Sequence, residues 1–179
     1  MEDHEIPRGV VAMGGHVEVH FDGACEPPKG GGVATFGFHL EGAGFLFEDC
    51  GLAVSPYSRH ATNNVAEYVA AIRPLEWLAA RSYAGEVVML GDSQLVVRQM
   101  RGEYAVRAEH LKAYHRHLAG LVARFHHVEF RWVPREQNSR ADALSKQALE
   151  EAAVIAEKHR PATPVDVVAE DEPPEGPEP

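Results

Sequence analysis

Four acidic residues stand beside predicted strand ends and helix starts, where their side chains could do chemistry. Asp22 is expected to end the first strand and Asp92 to follow the fourth, while Glu67 and Asp142 fall in the first turns of two predicted helices. In an open sheet, sites form where strands end and helices begin. Carboxylates that converge there raise each other's pKa, and a hard divalent cation removes that repulsion. Two such ions about 4 Å apart can activate a water and stabilise a leaving oxygen in phosphodiester hydrolysis.

Each of these acids also has a structural alternative. Glu67 and Asp142 could complement helix N-termini, where negative charge is stabilising. Asp92 could be the N-cap of the helix that follows it, and Asp22 beside Gly23 could be a turn residue. One acid alone therefore indicates little, and the prediction of a metal site depends on all four converging.

The composition is that of one soluble globular domain: 179 residues, 45% hydrophobic and 25% charged. No apolar run approaches the roughly 20 residues of a membrane helix, and no secretory signal is visible. The two cysteines, Cys25 and Cys50, form no CxxC pair. A disulfide scaffold and a cysteine-based zinc site are therefore not expected, and a reducing cytoplasm is the predicted location.

The formal charge of −10 does not exclude a nucleic-acid partner, because it is unevenly distributed. Six of the 27 acids lie in residues 161–179, which contain no Lys or Arg, so residues 1–160 carry only −4. Prolines and acids fill this C-terminal stretch, and such a segment cannot bury enough apolar surface to offset its chain entropy. We expect a flexible leader over residues 1–15, a folded domain over 16–159 and a disordered tail over 160–179.

Hydrophobic periodicity within the domain predicts the order β-β-β-α-β-α-α-β-α. Alternation at 16–22 indicates a strand ending at Asp22, and two further strands form an antiparallel meander with it. A helix follows the capping candidates at 62–64, and Pro74 is expected to kink or divide it. The remaining elements are predicted at 86–91 (strand), 93–101 (helix), 107–125 (helix), 127–133 (strand) and 139–157 (helix). This order predicts a mixed sheet covered by helices.

Four segments that contain the acids resemble the signature segments of type 1 ribonuclease H. They are FDGACEP (21–27), TNNVAEY (62–68), GDSQLV (91–96) and NSRADALS (138–145), in that family's order and at similar separations. The strongest likeness is to a prokaryotic subgroup, whose last motif is matched by WVPREQNSRAD (132–142). The resemblance covers about residues 16–150.

The resemblance implies an α/β fold with a five-stranded mixed sheet of order 3-2-1-4-5 flanked by helices. It implies magnesium- or manganese-dependent cleavage of the RNA strand in RNA–DNA hybrids, with 5'-phosphate and 3'-hydroxyl products. The four acids would hold two ions in the presence of substrate. Asp22 would bridge both ions, Glu67 would also position the 2'-hydroxyl or the attacking water, and Asp92 and Asp142 would each serve mainly one ion.

Amide side chains near the acids are candidates for distinguishing RNA from DNA, because an amide can both donate to and accept from a 2'-hydroxyl. By resemblance, the substrate-binding residues are Ala24, Cys25, Asn63, Asn64, Gln94, Arg135 and Asn138. Helix capping is the alternative for Asn63 and Asn64. Cys25 is expected to be a packed residue with no reactive thiol.

Two segments rich in basic residues could line a phosphate track, although mixed charge more commonly means a solvated face with ion pairs. They contain Arg98, Arg101, Arg107, Lys112 and Arg116, and then Arg131, Arg135, Arg140 and Lys146. The chain departs from many family members in lacking a basic protrusion, a loop histidine before the last acid, and an asparagine in the turn at 25–32. Arg135 or Glu136 could substitute for the histidine.

Two other functions remain open at this stage. One is a nuclease of related fold that acts on DNA or double-stranded RNA, and the other is a non-catalytic nucleic-acid-binding module. The set Asn63, Asn64 and Gln94 favours hybrid cleavage, and retention of all four acids argues against a non-catalytic module. Double-stranded RNA is a possible second substrate, and we expect a monomer.

Overall fold

The computed structural model describes residues 15–173, so the predicted leader, apart from Gly15, lies outside the described residues. The strands are β1 (Val17–Glu26), β2 (Val33–Gly42), β3 (Phe45–Leu52), β4 (Glu86–Gly91) and β5 (His127–Trp132). The helices are α1 (Asn63–Ala80), α2 (Gln94–Met100), α3 (Glu109–Val122) and α4 (Ser139–Ala156), with short 3-10 turns at Arg135–Gln137 and Glu157–His159. Over residues 15–173, no helix combines the length and apolar character needed to cross a membrane.

The five strands form one mixed sheet in the order β3-β2-β1-β4-β5, which confirms the predicted architecture. The first three strands are an antiparallel meander, and β4 pairs in parallel with both β1 and β5. Parallel neighbours need a crossover connection, and helices supply it here. α1 leads from the meander to β4, and α2 and α3 lead from β4 to β5.

Helices cover both faces of the central strands. Val17, Val19 and Phe21 alternate along β1 and are fully buried in a core shared with the apolar side of α1. On the other face α4 lies directly on β2: a Cβ added at Gly37 would be 2.4 Å from the backbone nitrogen of Ser145. Glycine at this position therefore allows the helix to approach the sheet backbone closely.

The predicted end of β1 was wrong, and the predicted division of α1 at Pro74 does not occur. β1 continues four residues past Asp22, because Ala24 still pairs with Thr35 and Glu26 with Val33, so Asp22 lies inside the strand. α1 is one helix that runs through Pro74 without being divided. Proline removes a single backbone hydrogen bond, and the long buried face of α1 supplies tertiary packing that holds the helix together.

The C-terminal segment differs from the expected disordered tail over the residues that are described. Residues 160–173, which we call the tail segment, form neither helix nor strand and lie against the surface of the domain. Hydrogen bonds from Thr62, Asn64 and Ala108 reach Glu170 and Asp171. Composition alone indicated disorder because it ignores such donors on other elements; residues 174–179 lie outside the described residues.

Candidate active site

Three of the four predicted acids meet beside the two neighbouring interior strands β1 and β4. Asp22, Glu67 and Asp92 each offer a carboxylate oxygen, and these oxygens all lie within 4.8 Å of one another. The parallel register pairs Phe21 of β1 with Gly91 of β4, so the next residue along each strand is one of the acids. The strand pairing therefore brings together two residues that are 70 positions apart in the sequence.

Glu67 reaches the cluster because the N-terminal part of α1 lies directly on β1. The backbone N–H of Gly23 donates to Glu67 Oε2 at 3.1 Å. A Cβ at Gly23 would be 2.4 Å from the backbone of Ala66 and Glu67, so a larger residue would separate helix and strand. Glu67 is the fifth residue of α1, not a first-turn acid as predicted, because Thr62 is the N-cap and accepts from the Val65 N–H at 3.3 Å.

Asp22 and Glu67 are buried, whereas Asp92 is partly exposed. Burial is the main cause that raises the pKa of Asp22 to about 7; Asp92 raises it further, and a 2.5 Å hydrogen bond from the Ser145 hydroxyl opposes the shift. Burial also raises the pKa of Glu67 well above its ordinary value, with Asp22 and Asp92 adding to the effect. Grouped carboxylates of this kind fit a hard divalent cation, which would compensate their charge.

Asp142, the fourth predicted acid, lies in the first turn of α4 and lines the same cavity, outside the three-acid cluster. Arg135 Nη2 and Lys146 Nζ donate to its two carboxylate oxygens at 2.8 and 2.7 Å. Burial tends to raise the pKa of Asp142, but these two cations outweigh it and the net shift is downward. Asp142 is therefore ionised and paired with cations in this structure.

Most of the predicted substrate-binding residues line one cavity of about 550 Å³ together with the acids. They are Ala24, Cys25, Asn63, Asn64, Gln94 and Arg135. Asn138 differs: it is 1% exposed, and its amide nitrogen donates to the Phe21 carbonyl at 2.9 Å, which fastens the start of α4 to β1.

The Cys25 side chain is packed, as expected. Its thiol donates to the Ala61 carbonyl at 3.3 Å, and burial raises its pKa to about 11. At neutral pH the group is therefore a thiol, the form with little nucleophilic reactivity.

The capping alternatives for Asp92, Asn63 and Asn64 do not match the structure, whereas Asp142 does lie in the first turn of α4, as its structural alternative required. α2 is capped by Ser93, whose hydroxyl accepts from the Val96 N–H at 3.3 Å, so Asp92 is not the cap. Thr62 has the same role for α1, so neither Asn63 nor Asn64 is its cap. Asp92, Asn63 and Asn64 all line the cavity, and the Asn64 amide also donates to the Asp171 carbonyl.

Much of the predicted phosphate track is engaged in ion pairs, the alternative that mixed charge usually favours. Arg101 pairs with Glu103 at 2.9 Å, Arg131 with Glu129 at 2.7 Å, and Arg140 with Glu48. Arg135 and Lys146 are also in ion pairs, but their partner is Asp142 and both residues line the active-site cavity.

Sequence reasoning did not identify Ser145 as a residue of the site. Its hydroxyl donates to Asp22 and contacts the Asp142 carbonyl at 3.0 Å, so it links the central acid to α4. The available signal was its position three residues after Asp142, on the helix face predicted to be apolar.

Comparison with known proteins identifies a family and several relatives of this chain. The profile of a family described as "Reverse transcriptase-like" matches residues 47–148. A protein named Ribonuclease HI from Halobacterium salinarum is 35% identical over 140 residues, which are 78% of this chain and 67% of that protein. Mycobacterial relatives are 38% identical over 113 residues, and the aligned part is only 30% of their length.

Two solved structures share the fold over most of the described chain. The N-terminal RNase H domain of a Mycobacterium tuberculosis protein superposes with a TM-score of 0.70 at 30% identity, covering 79% of this chain and 98% of the other. LC11-RNase H1, solved in complex with an RNA/DNA hybrid, gives a TM-score of 0.66 at 32% identity, covering 76% and 98%.

Proposed function

The chain belongs to the ribonuclease H family, and we propose that it is a type 1 member that hydrolyses the RNA strand of RNA–DNA hybrids. One observation carries this proposal: the carboxylate oxygens of Asp22, Glu67 and Asp92 lie within 4.8 Å of one another in a cavity that also contains amide side chains. The relative that was solved with an RNA/DNA hybrid supports the choice of substrate.

The acids would hold magnesium or manganese ions, with Asp22, Glu67 and Asp92 as the central ligands and Asp142 at the side of the site. When bound, the ions would activate a water and stabilise the leaving oxygen, giving 5'-phosphate and 3'-hydroxyl ends. Ser145 keeps the Asp22 carboxylate in one orientation through its 2.5 Å hydrogen bond. Arg135 and Lys146 hold Asp142 at the cavity wall by opposing charge.

Recognition of RNA is assigned to the polar groups beside the acids. Asn63, Asn64 and Gln94 line the cavity, and an amide can donate to and accept from a 2'-hydroxyl in the minor groove. The backbone at Ala24 and Cys25 borders the same space. A strand that lacks the 2'-hydroxyl would leave these amides without that partner, which favours cleavage of the RNA strand.

The test is cleavage of labelled RNA–DNA hybrid, duplex RNA and duplex DNA, each with magnesium, manganese or a chelator. We expect metal-dependent cutting of the hybrid, with cleavage confined to its RNA strand. Preferential cutting of duplex DNA would contradict the proposed substrate. Cleavage of duplex RNA at a lower rate is compatible with hybrid as the main substrate.

A variant pair separates the site from the rest of the protein. Asp22→Asn removes one charge with little change in volume and should abolish turnover while the fold is retained, as measured by circular dichroism. Glu150→Gln is the matched control, because Glu150 is an exposed acid on α4 outside the cavity lining. Retained activity in Asp22→Asn would remove this residue from the mechanism.

A further inference from the structure

The tail segment follows a defined path from α4 to the rim of the active-site cavity. The Val168 N–H donates to the Arg59 carbonyl at 3.1 Å, in the loop that precedes α1. The Val167 side chain lies beside the turn at Gly30 and Gly31, within 3.0 Å of where a Cβ would stand on either glycine. At the far end of the segment, Pro173 lines the same cavity as the three clustered acids.

Glu170 of the tail segment is bound by three donors on two helices. Its carboxylate accepts from the Thr62 hydroxyl at 2.7 Å and from the Asn64 N–H at 3.2 Å, both at the start of α1. The His110 Nε2 lies 2.7 Å from the same carboxylate, and the His110 side chain is only 8% exposed. This group of polar donors holds an anionic oxygen pair beside the active site.

Asp171 occupies a second group of donors immediately beyond the first. Its carboxylate accepts from the backbone N–H groups of Arg107 and Ala108 at 2.9 and 2.8 Å, and from the Gln99 side chain at 3.0 Å. The N-cap residue of α3, Ala108, makes no side-chain cap hydrogen bond, and Asp171 binds the two backbone N–H groups that immediately precede the helix. The Asp171 carbonyl also accepts from the Asn64 amide at 2.8 Å.

Two successive carboxylates of the tail segment therefore occupy adjacent groups of hydrogen-bond donors beside the cavity. Hydroxyl and N–H donors at helix starts also suit the phosphate oxygens of a nucleic-acid strand. Asn64 belongs to both regions, because it binds the tail segment and lines the cavity.

We propose that the tail segment is an intramolecular competitor of the substrate: Glu170 and Asp171 occupy donors that bind backbone phosphates when a hybrid is present. This inference rests on the proposed function, because it requires that a nucleic acid uses the cavity. The tail segment must then leave these donors before a hybrid can bind fully. A tail bound in roughly nine molecules of ten lowers the apparent affinity about ten-fold.

The test compares the full chain with the double variant E170Q/D171N. The substitutions keep the length and size of the tail but remove both carboxylates, so we expect KM for the hybrid to fall about five-fold or more with kcat unchanged. The matched control is D166N/E172Q, which removes the same charge from two exposed tail residues. In a chain carrying Asp92→Asn, which should not cut, fluorescence anisotropy should report the same gain in hybrid affinity.

A second measurement follows the tail directly. Addition of hybrid to the full chain carrying Asp92→Asn should speed amide hydrogen exchange in residues 165–172. An equal KM and affinity in E170Q/D171N, D166N/E172Q and the unsubstituted chain would overturn the inference, and a lower Tm alone would show that the contact is only structural. Failure of every variant to cut hybrid would contradict the proposed function instead, and the anisotropy comparison would still decide whether the tail competes.

Discussion

Burying Asp22 and Glu67 side by side costs folding free energy, because each charged carboxylate loses hydration and is repelled by the other. The structure offsets part of this cost with one donor for each acid, the Ser145 hydroxyl for Asp22 and the Gly23 N–H for Glu67. A divalent cation would offset much more. We therefore expect the acids of the site to reduce stability in the absence of metal.

The first prediction concerns pH. An unfolded aspartate titrates near pH 3.8, whereas burial is the main cause that raises the pKa of folded Asp22 to about 7. Between these values the folded state keeps a proton that the unfolded state has lost, so without metal the free energy of unfolding should fall as pH rises from about 4 to 7. The contribution of Asp22 is at most about 4 kcal/mol.

Chemical denaturation at several pH values, in the presence of a chelator, measures this effect. Asp22→Asn should flatten the pH dependence and stabilise the metal-free protein above pH 7. A pH dependence that is the same in Asp22→Asn and in the unsubstituted chain would contradict the assignment.

The second prediction concerns recognition of RNA by Gln94, which lines the cavity near the acids. Gln94→Leu keeps much of the side-chain volume but removes the amide, so kcat/KM for the hybrid should fall about ten-fold or more. Gln147→Leu on α4 is the control, because Gln147 is exposed and pairs with Glu151. Unchanged steady-state kinetics in Gln94→Leu would argue against a substrate contact.

At the scale of the elements, the site depends on how closely helices approach the sheet. Gly23 lets α1 reach β1, and Gly37 lets α4 reach β2. Each of these helix–strand contacts positions part of the site, since α1 contributes Glu67 and α4 contributes Ser145 and Asp142. Small residues in the strands therefore control the geometry of the acids.

The third prediction follows from this packing. Gly23→Ala places a Cβ 2.4 Å from the backbone of Ala66 and Glu67, so one of the elements must shift. We expect a loss of about 1–3 kcal/mol in unfolding free energy, together with a large loss of activity, because α1 moves away from β1. Urea denaturation and hybrid cleavage measure the two effects.

Gly120→Ala is the matched control for this substitution. Gly120 lies in α3, and an added Cβ would have no atom within 4 Å among the described residues. The change should stabilise the protein by about 0.5–1 kcal/mol through helix propensity. If Gly23→Ala and Gly120→Ala had the same effect on unfolding free energy and on hybrid cleavage, close packing at Gly23 would not be the cause of the expected losses.

The sequence was informative about the elements because hydrophobic periodicity reflects burial directly. The strand alternation at Val17, Val19 and Phe21 predicted the buried face of β1, and the sheet order implied by the family resemblance matches the observed one. The predicted end of β1 was wrong because pairing with β2 extends the strand beyond Asp22. The residues around Asp22 do not themselves show which strand they pair with. The contact between Ser145 and Asp22 spans 123 residues, so local patterns could not reveal it.

For the whole molecule, the tail segment shows the limit of compositional arguments. Proline and acidic residues predicted disorder, and the expectation that follows is that removing residues 161–179 barely changes the melting temperature. The structure instead gives Glu170 and Asp171 hydrogen bonds to α1, α2 and the start of α3. Those donors come from distant parts of the chain, so the tail's own composition gave no indication of them.

The fourth prediction reverses that expectation. Deleting residues 161–179 should lower Tm by several degrees, because losing charge-assisted hydrogen bonds worth about 2 kcal/mol in total shifts Tm by about 4–8 °C in a domain of this size. Differential scanning calorimetry of the two chains measures the difference. An unchanged Tm would mean that the tail contacts contribute no net stability.

The hydrogen bond between Ser145 and Asp22 has a consequence for the order in which the site can form. The two residues are 123 positions apart, and α4 carries both Ser145 and Asp142. A partly folded chain in which α4 has not yet packed on the sheet therefore lacks the donor that orients the central carboxylate and also lacks the fourth acid. Such an intermediate should accordingly be inactive toward a hybrid even where the strands have already paired.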